Sequence, residues 1–382
     1  MKTLSIFSGC GGLDIGFEAA GFKTSLAVDT LEPAASTFRL NRPRIPVYGP
    51  PHESGDIREL TPKALKILVN VEPEELDMMI GGPPCQPFSV AAAQRFLSDD
   101  PRFKRVGFDS AEKGQLIFDY VRLIKQMRPK AFLIENVPGI LTLDGGSGIE
   151  QVYLELEQVG YTISSPFVLN AMDFGVPQSR IRAFVIGSLN GKCVQPPDST
   201  HGPVENFYKK RHVTVAQALY GLQDSVPNSV VRDHRPESIE RYQRLLPGER
   251  EQLGRVDRLD PTRPSKTVIA GGSKGGGRSH LHPFEARTIS VRECARLQTF
   301  PDDFEFFGSI GRQFTLVGNA VPPLLGEILA RQIRRDIFGN PCRGALKLAV
   351  PEVDQEIAEQ WLLEASRSRA PQLLYTNLRK SK

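Results

Sequence analysis

The chain of 382 residues has few cysteines, a single tryptophan and no long apolar segment. The cysteines are scattered, odd in number and without Cys-x-x-Cys spacing: Cys10, Cys85, Cys193, Cys294 and Cys342. This pattern argues against a zinc site and against a disulfide framework, so we predict no metal. It also fits a reducing, cytoplasmic setting, in which a working thiol stays free.

Signals for a membrane or for secretion are also missing from the sequence. No apolar run is long enough to span a bilayer. The first residues enter a strand-like segment without the layout of a signal peptide. We therefore expect no membrane partner. The net charge of +4 is small, so it permits an anionic partner without requiring one.

A rigid loop around Cys85 is the most informative stretch that is present. Residues 78–80 predict the end of a buried strand, and Gly-Gly-Pro-Pro-Cys-Gln-Pro-Phe-Ser follows as residues 81–89. Glycine and proline exclude both helix and strand there. A cysteine usually packs as a small buried hydrophobe, but strand ends in open α/β sheets are where ligands bind. We interpret Cys85 as a reactive thiol.

A glycine turn follows the first predicted strand. Residues 3–7 are apolar, and Ser-Gly-Cys-Gly-Gly follows before a helix-like segment that ends near Gly21. Such a turn lets a ligand approach bare amides at a helix amino terminus. Asp14 stands where the dehydrogenase fingerprint needs its third glycine, and no Gly-Lys-Ser/Thr closes a phosphate loop. We interpret Asp14 as suited to a positively charged ligand.

Three further acids lie at the ends of predicted strands or next to turns. Asp29 ends the second strand, where it either grips ribose hydroxyls or caps the next helix. Asp56 either accepts from an amino group or caps the helix that starts near residue 61. Glu135 follows the buried strand 131–134, so it is either a crevice residue or an ordinary solvated acid.

Basic residues recur along the chain after these acids. Arg180 and Arg182 alternate along an incipient strand, so they point to one face, as substrate contacts or as a surface ion-pair ladder. Residues 90–107 are basic and irregular, and they predict either a lid over a polyanion or a solvated loop. From about residue 189 to 311, basic, glycine-rich loops predict a second domain that either follows a nucleic-acid backbone or simply connects elements.

Two helices are predicted near the end of the chain. Ser290 and Glu293 form a capping-box pattern for a short helix within residues 288–301. A second helix is predicted over residues 324–335, and a last amphipathic stretch includes Ile357, Trp361 and Leu362.

Taken together in order, these motifs resemble those of DNA cytosine-5 methyltransferases of the bacterial and phage modification type. The matching motifs are Phe7-x-Gly9-x-Gly11-Gly12, Asp29, Gly55-Asp56-Ile57, Pro83-Pro84-Cys85-Gln86-Pro87-Phe88-Ser89, Glu135-Asn136-Val137, Gln178-x-Arg180-x-Arg182, Arg292-Glu293-Cys294-Ala295-Arg296-Leu297-Gln298 and Gly318-Asn319-Ala320-Val321-Pro322-Pro323. The resemblance implies an α/β fold, with a doubly wound, mostly parallel sheet that binds S-adenosylmethionine and a smaller, loop-rich target-recognition domain.

The resemblance also implies a division of the chain. Residues 1–188 form the first catalytic and cofactor-binding segment, 189–311 the target-recognition domain and 312–340 the returning catalytic segment. Residues 341–382 form an extension to which no function is given.

Roles are carried over by motif. The catalytic residues are Cys85, Glu135, Arg180 and Arg182. The cofactor residues are Phe7, Gly9, Cys10, Gly11, Gly12, Leu13, Asp29, Asp56, Ile57, Pro83, Asn319 and Val321. The substrate residues are Gln86, Ser89, Gln178, Arg263, Ser265, Lys266 and Thr267.

The implied reaction methylates carbon 5 of a cytosine flipped out of double-stranded DNA, through a Cys85 adduct at carbon 6. Implied partners are duplex DNA and a restriction endonuclease that acts separately, and the implied state is a monomer. A tRNA cytosine methyltransferase with the same residues stays open, as do a nicotinamide-dependent oxidoreductase and an inactive DNA-binding module.

Overall fold

The computed structural model describes residues 1–84, 114–253, 256–269 and 280–379, with side chains as far as Ser368 in the last helix. The chain divides into two compact units. The first comprises Met1–Asn170, Ile181–Asp198 and Leu325–Lys347, and the second comprises Ala171–Arg180, Ser199–Leu324 and Leu348–Lys382. The bounds of these units are set by how the residues pack together. The division predicted from the sequence assigns segments by their function instead, and it remains a prediction.

An eight-stranded sheet forms the centre of the first unit. Its strands are β1 (Lys2–Ile6), β2 (Lys23–Val28), β3 (Val47–Tyr48), β4 (Met78–Gly81), β5 (Ala131–Asn136), β6 (Thr162–Ile163), β7 (Phe167–Asn170) and β8 (Ile181–Ser188). The order is β3-β2-β1-β4-β5-β8-β6, and β7 also pairs with β8. The strands from β3 to β5 are parallel, and β8 is antiparallel to its neighbours. The predicted mostly parallel α/β sheet is confirmed.

Helices alternate with these strands, as a parallel sheet requires. They are α1 (Gly12–Ala19), α2 (Glu32–Asn41), α3 (Pro62–Val69), α4 (Leu116–Met127) and α5 (Ser147–Glu157), with short 3-10 turns at Ile57–Glu59, Pro138–Leu141 and Leu143–Gly146. The apolar stripe of α4 is buried against the sheet, as its spacing predicts. All six residues of β5 are buried, which is typical of a strand covered on both faces.

The second unit has short elements joined by long loops. Its strands are β9 (His201–Gly202), β10 (Lys210–Arg211), β11 (Arg250–Glu251), β12 (Val256–Arg258) and β13 (His280–Leu281). Its helices are α6 (Val215–Leu219), α7 (Pro236–Gln243), α8 (Val291–Leu297) and α9 (Ile310–Asn319), a 3-10 turn covers Ala171–Phe174, and the final helix, α11 (Gln355–Arg379), also belongs to it. The capping box predicted at Ser290 and Glu293 is confirmed.

The helix α10 (Pro323–Asp336) returns the chain to the first unit, close to its predicted bounds. Gly326 lies against α1, because a Cβ atom there would come within 3.3 Å of the Leu13 carbonyl oxygen. Beyond the helix, the Lys347 amide donates to both carboxylate oxygens of Glu327. No helix in the described part of the chain is long and apolar enough to cross a membrane.

Candidate active site

The turn after β1 has the open geometry that the glycine motif predicts. Phe7 and Gly9 both have positive φ angles, of 54° and 56°, a backbone conformation that a phenylalanine adopts only at some energetic cost. Space is open beside Gly9, since among the described residues no atom beyond its chain neighbours lies within 4 Å of the position of an added Cβ. Gly11 is the N-cap residue of α1. A Cβ atom added to Gly11 would lie 3.0 Å from carbons of the Phe38 ring. The open side of the turn can therefore receive a ligand against the backbone.

The neighbouring positions of the turn contribute backbone rather than side chain. Gly12 begins α1, and Leu13 is 8% exposed. Cys10 is buried, and this burial raises the pKa of its thiol to about 12. A neutral, inaccessible thiol cannot act as a nucleophile, so Cys10 belongs to the wall of the turn.

Asp29 joins the ends of β1 and β2. Its Oδ2 accepts from the Gly9 amide at 2.8 Å, and its Oδ1 accepts from the Leu31 amide at 2.8 Å. Burial raises the pKa of Asp29, while these two amides act in the opposite direction. The carboxylate therefore fixes the glycine turn and the start of α2. Both readings of Asp29 from the sequence remain compatible, because each oxygen can accept a second bond.

Asp56 lies at the same edge of the sheet. It caps the 3-10 turn Ile57–Glu59, and its two oxygens each lie 2.9 Å from Nε of Arg58. These bonds from Arg58 lower the pKa of Asp56, so it is an acceptor at neutral pH. Gly55 is required beside it, because a Cβ there would lie 2.1 Å from the Asp29 carbonyl oxygen. Ile57 is buried in the sheet core.

Asp14 does not face a ligand, so the interpretation of this residue from the sequence was wrong. Its side chain is fully buried, and its oxygens accept from the hydroxyls of Ser5 and Thr24 at 2.8 and 3.0 Å. Burial raises the pKa of Asp14 to about 6, against the opposing effect of Arg42. The carboxyl group thus links α1 to β1 and β2. Hydroxyl partners on neighbouring strands cannot be recognised from spacing alone.

Glu135 and Arg182 form a charged pair at the ends of two adjacent strands. Nε of Arg182 lies 2.9 Å from Oε1 of Glu135, and the two side chains are only 14% and 11% exposed. Arg182 also donates to the Ile181 carbonyl oxygen at 2.7 Å. A Cβ at Gly82 would lie 2.9 Å from Oε2 of Glu135. Glycine at position 82 therefore leaves room for the carboxylate beside the start of the cysteine loop.

Asn136 holds the first residues of that loop. Its Nδ2 donates to the Pro83 carbonyl oxygen at 3.1 Å, and its Oδ1 accepts from the Val137 amide at 2.9 Å. Asn136 is 2% exposed, and Pro83 is buried. Asn136 belongs to the Glu135-Asn136-Val137 motif identified in the sequence. Its contact with Pro83 could not be predicted from the sequence. The catalytic and substrate residues predicted in the loop itself, Cys85, Gln86 and Ser89, lie outside the described residues.

The remaining predicted site residues lie in the second unit. Gln178 is fully buried and bridges two segments, because its Oε1 accepts from the Val268 amide at 2.9 Å and its Nε2 donates to the Leu297 carbonyl oxygen at 3.2 Å. Arg180 is 1% exposed and donates to the Asn319 carbonyl oxygen at 3.3 Å. These contacts organise the unit internally.

Residues 263–267 include both buried and exposed side chains. Ser265 is 2% exposed and donates from its hydroxyl to the Pro177 carbonyl oxygen at 3.2 Å, and Thr267 donates to the Ser179 carbonyl oxygen at 2.7 Å. The side chains of Arg263 and Lys266 are 79% and 67% exposed, and they pair with Asp260 and Asp257. Among the four substrate residues predicted within this segment, the two cations are therefore the most exposed. In the returning motif, Asn319 ends α9 and Val321 is 7% exposed.

A buried charge network that was not predicted from the sequence supports the second unit. Arg287 lies between Glu285 and Glu293, with distances of 2.7 and 2.8 Å, and all three side chains are 5% exposed. Burial opposes ionisation of Glu293, but the Arg287 guanidinium holds the pKa of that carboxyl well below its usual range. His282 is fully buried beside both carboxylates. Within the described residues, no group of three His, Cys, Asp or Glu side chains is arranged to hold a metal ion.

Comparison with known proteins adds an independent finding. Residues 1–335 match the family model described as C-5 cytosine-specific DNA methylase. The type II methyltransferase M.NgoFVII of Neisseria gonorrhoeae is 34% identical over 349 residues, which cover 87% of this chain and 86% of that protein. M.AquIA of a Picosynechococcus species is 39% identical over 246 residues, which cover 60% of this chain and 92% of that protein.

Solved structures agree with this match. A protein described as a DNA modification methyltransferase of an E. coli prophage has a TM-score of 0.69 and 26% sequence identity, covering 88% of this chain and 99% of that one. The S. pombe Dnmt2 methyltransferase, at 17% identity and a TM-score of 0.60, covers 87% of this chain and 98% of its own, and it shares the fold.

Proposed function

The chain belongs to the C-5 cytosine-specific DNA methylase family, and we propose that it methylates one flipped-out cytosine in a short duplex sequence through a covalent Cys85 adduct. It is a DNA cytosine-5 methyltransferase of the restriction-modification type, with S-adenosylmethionine as methyl donor. This membership decides against the nicotinamide-dependent alternative.

The observation that carries the proposal is the pair of Glu135 and Arg182 beside Gly82. The strands β4 and β5 are parallel, and the residue pairing sets Gly81 against Ile134. Residues that follow these strands therefore emerge at one edge of the sheet, where ligands bind in open α/β folds. Cys85 follows Gly82 by three residues, so we propose that it reaches the same edge.

The residues at the other end of this edge fit an adenosine carrying a sulfonium group. The space around Gly9, the half-buried Asp29 carboxylate and the Asp56 carboxylate offer an open backbone turn and two acceptors, for ribose hydroxyls and an amino group. When bound, S-adenosylmethionine supplies an electrophilic methyl group on a positively charged sulfur. This chain must bind it, orient it and keep water away from the transferred methyl group.

In the proposed reaction, the Cys85 thiolate forms a bond from Sγ to carbon 6 of cytosine. The electron pair of the ring double bond then becomes available at carbon 5, which takes the methyl group while the carbon–sulfur bond breaks and the sulfur keeps its electron pair as a neutral thioether. Loss of the carbon 5 proton to a base and departure of the thiolate restore the aromatic ring. A thiol has a reference pKa of about 8.5, so a nearby cation favours the thiolate.

Glu135 and Arg182 have distinct roles in this proposal. Glu135 contacts N3 and the amino group of the ring, where charge develops as the thiolate adds. Arg182 orients Glu135 through the 2.9 Å contact and offers its remaining donors to cytosine O2. Preorganised groups of this kind stabilise a charged intermediate more than the ground state. Arg182 also remains our candidate for the cation that favours the thiolate.

Cytosine must leave the duplex to reach these groups, at a cost of a few kcal/mol. We propose that the second unit offsets this cost with phosphate and groove contacts, which include the exposed Arg263 and Lys266. A separate restriction endonuclease, a monomeric state and a cytoplasmic, DNA-associated location also remain proposals, supported by the restriction-modification type of the relatives.

Bisulfite sequencing of plasmid DNA from cells that express the protein tests the function. We expect protected cytosines within one short motif with the wild type and none with Cys85→Ser. Cys193→Ser is the matched control, because Cys193 is exposed and lies outside every proposed role, so it should protect the same motif. Absence of protected cytosines in all three would contradict the proposal, and transfer of label to tRNA would then favour the tRNA alternative.

The covalent step has its own test. In a duplex that carries 5-fluorocytosine at the mapped position, fluorine replaces the proton that must leave carbon 5. The wild type should therefore form a complex that survives denaturing electrophoresis in the presence of cofactor, whereas Cys85→Ser should not. Methylation without such a complex would still show that the protein is a methyltransferase, but it would contradict the proposed covalent Cys85 adduct.

A further inference from the structure

A pair of exposed aromatic rings lies on a turn between β9 and β10 of the second unit. Phe207 is 94% exposed and Tyr208 is 85% exposed, and Val204 nearby is 67% exposed. The two rings contact each other edge to face, with centroids 5.2 Å apart. Single exposed apolar residues are common, whereas a contiguous exposed patch marks an interaction surface. The strands β9 and β10 pair in parallel, and the chain reverses locally at residues 206–209. We refer to residues 203–211 as the hairpin tip.

The hairpin tip is held in shape by its own hydrogen bonds. The amide of Asn206 donates to the Lys209 carbonyl oxygen at 2.9 Å, and the Lys209 amide donates back at 3.3 Å. The side chain of Asn206 also accepts from the amides of Tyr208 and Lys209, both at 2.9 Å. The two aromatic residues therefore occupy the central positions of a tight turn. Presenting rings in a fixed conformation lowers the entropy lost on binding.

The base of the hairpin tip is anchored to the rest of the second unit. The Lys210 amide donates to the Thr200 carbonyl oxygen at 3.0 Å, and the His212 amide donates to the Gly202 carbonyl oxygen at 2.8 Å. The ring of His212 in turn lies 3.0 Å from Oδ1 of Asp173. Substitutions at the two rings should therefore leave the anchored base intact.

Cationic residues adjoin the two aromatic residues in the sequence. Lys209, Lys210 and Arg211 follow Tyr208 directly, and Glu205 is the one acid within residues 203–211. Lys210 pairs with Glu352. Exposed aromatic rings next to cations are the combination that binds nucleic acid, since cations neutralise phosphates and rings pack against sugars and bases. An apolar protein surface would not require the three cations.

We propose that the hairpin tip is a contact surface for duplex DNA, with Lys209 and Arg211 on backbone phosphates and Phe207 and Tyr208 against the sugars and base edges of a groove. This inference rests on the proposed function, because it assigns a further contact for the same substrate. It differs from the predicted recognition residues, Arg263 to Thr267, which lie elsewhere in the sequence.

Direct binding to DNA tests the inference independently of methyl transfer. The full-length wild type, Phe207→Ser/Tyr208→Ser and Lys209→Ala/Arg211→Ala are compared by fluorescence anisotropy on a labelled mixed-sequence duplex at several salt concentrations. Loss of both rings should weaken binding about 10-fold. Loss of both cations should reduce the slope of log affinity against log salt by about two.

Leu246→Ser is the matched control, because Leu246 is a 67% exposed apolar residue of the same unit outside the hairpin tip. It should bind as the wild type does. Far-ultraviolet circular dichroism and thermal unfolding of every variant establish that the fold is retained.

The outcomes separate this inference from the proposed function. Affinity within twofold of the wild type in the ring variant, together with an unchanged salt slope in the cation variant, would overturn the hairpin contact and leave methyl transfer untouched. Weakened binding, combined with no bisulfite protection by the wild type, would support the contact while contradicting the proposed function. A change in sedimentation of the ring variant without any change in DNA affinity would assign the rings to a protein contact and overturn the inference.

Discussion

Nε of Arg182 lies 2.9 Å from Oε1 of Glu135, at the ends of the adjacent antiparallel strands β8 and β5. Both side chains are largely withdrawn from solvent, so the electrostatic interaction between them is only weakly screened. The pair fixes the direction in which Glu135 presents its second oxygen, Oε2, which lies beside Gly82. An arginine thus sets the position of the carboxylate proposed to hold cytosine.

Replacing Arg182 should slow methyl transfer far more than it weakens cofactor binding. We expect Arg182→Ala to reduce the single-turnover rate about 100-fold, because one preorganised donor is lost. Arg128→Ala is the matched control, since Arg128 pairs with the exposed Glu74 at 3.1 Å in the same unit. A rate for Arg182→Ala within threefold of the control would show that Arg182 has no part in the reaction.

Asn136 should act as a positioning residue for the cysteine loop. Asn136→Ala removes the donor to the Pro83 carbonyl oxygen, so the loop loses its anchor two residues before Cys85. We expect covalent trapping on 5-fluorocytosine DNA to slow at least about 10-fold, with cofactor affinity retained. The pH profile of Cys85 alkylation should shift, which a purely structural loss elsewhere would not cause.

The control for this prediction is Asn190→Ala. Asn190 makes an equivalent bond from its Nδ2 to the Ile337 carbonyl oxygen at 3.0 Å, within the same unit. It should lower thermal stability without changing the alkylation profile. Identical profiles for wild type and Asn136→Ala would exclude the positioning role.

Asp14 should make the stability of the protein depend on pH. Its folded-state pKa of about 6 lies above the unfolded value of about 3.9, so the folded state binds the proton more tightly. The contribution of Asp14 to wild-type stability should therefore fall as pH rises from about 4 through about 6 and then level off. The asparagine in Asp14→Asn does not titrate, so the variant lacks this pH dependence. The free energy of unfolding of the variant minus that of the wild type should therefore be roughly 1 kcal/mol larger at about pH 8 than at about pH 5.

Urea unfolding at the two pH values measures this difference. Glu157→Gln, at an exposed position on α5, controls for the removal of a solvated carboxyl group. Parallel pH dependence of wild type and Asp14→Asn would mean that Asp14 ionises equally in the folded and unfolded states.

Substitutions at the adjacent residues Ser265 and Lys266 should have different effects, the first on protein stability and the second on DNA binding. Ser265→Ala leaves the buried Pro177 carbonyl oxygen with one donor fewer, so it should lower stability by about 1 kcal/mol. Lys266→Ala should instead reduce the salt slope of DNA binding by about one, because one phosphate contact is lost. The reverse assignment of effects would place the serine on DNA and the lysine in the structural framework.

Asp56 should contribute to cofactor affinity, measured by calorimetry. Asp56→Ala removes the acceptor that we propose for the adenine amino group, and we expect affinity to fall about 10-fold. Arg58→Ala releases the same carboxylate from the guanidinium, so it should leave affinity equal or improved. Unchanged affinity in Asp56→Ala would remove this residue from the cofactor site.

The beginning of the first unit could be predicted closely from the sequence. An apolar run followed by glycines predicts a strand, a turn and a helix at residues 3–20, and the structure has β1 and α1 there. The capping box at Ser290 was also predicted correctly. Helix α9 was not predicted, although its Gly-Asn motif was recognised, because glycine and asparagine at its end indicate a turn more strongly than the preceding residues indicate a helix.

The local order of the chain was therefore determined by the sequence itself. Strand ends, turns and the cysteine motif depend on near neighbours, whose steric and hydrogen-bonding preferences act over a few residues. Only the tertiary structure decided which polar groups are buried. Asp14 meets Thr24, Glu135 meets Arg182, and Arg287 joins two carboxylates. The stability of a charge depends on the solvent and partners around it, and those are set by segments that folding brings together.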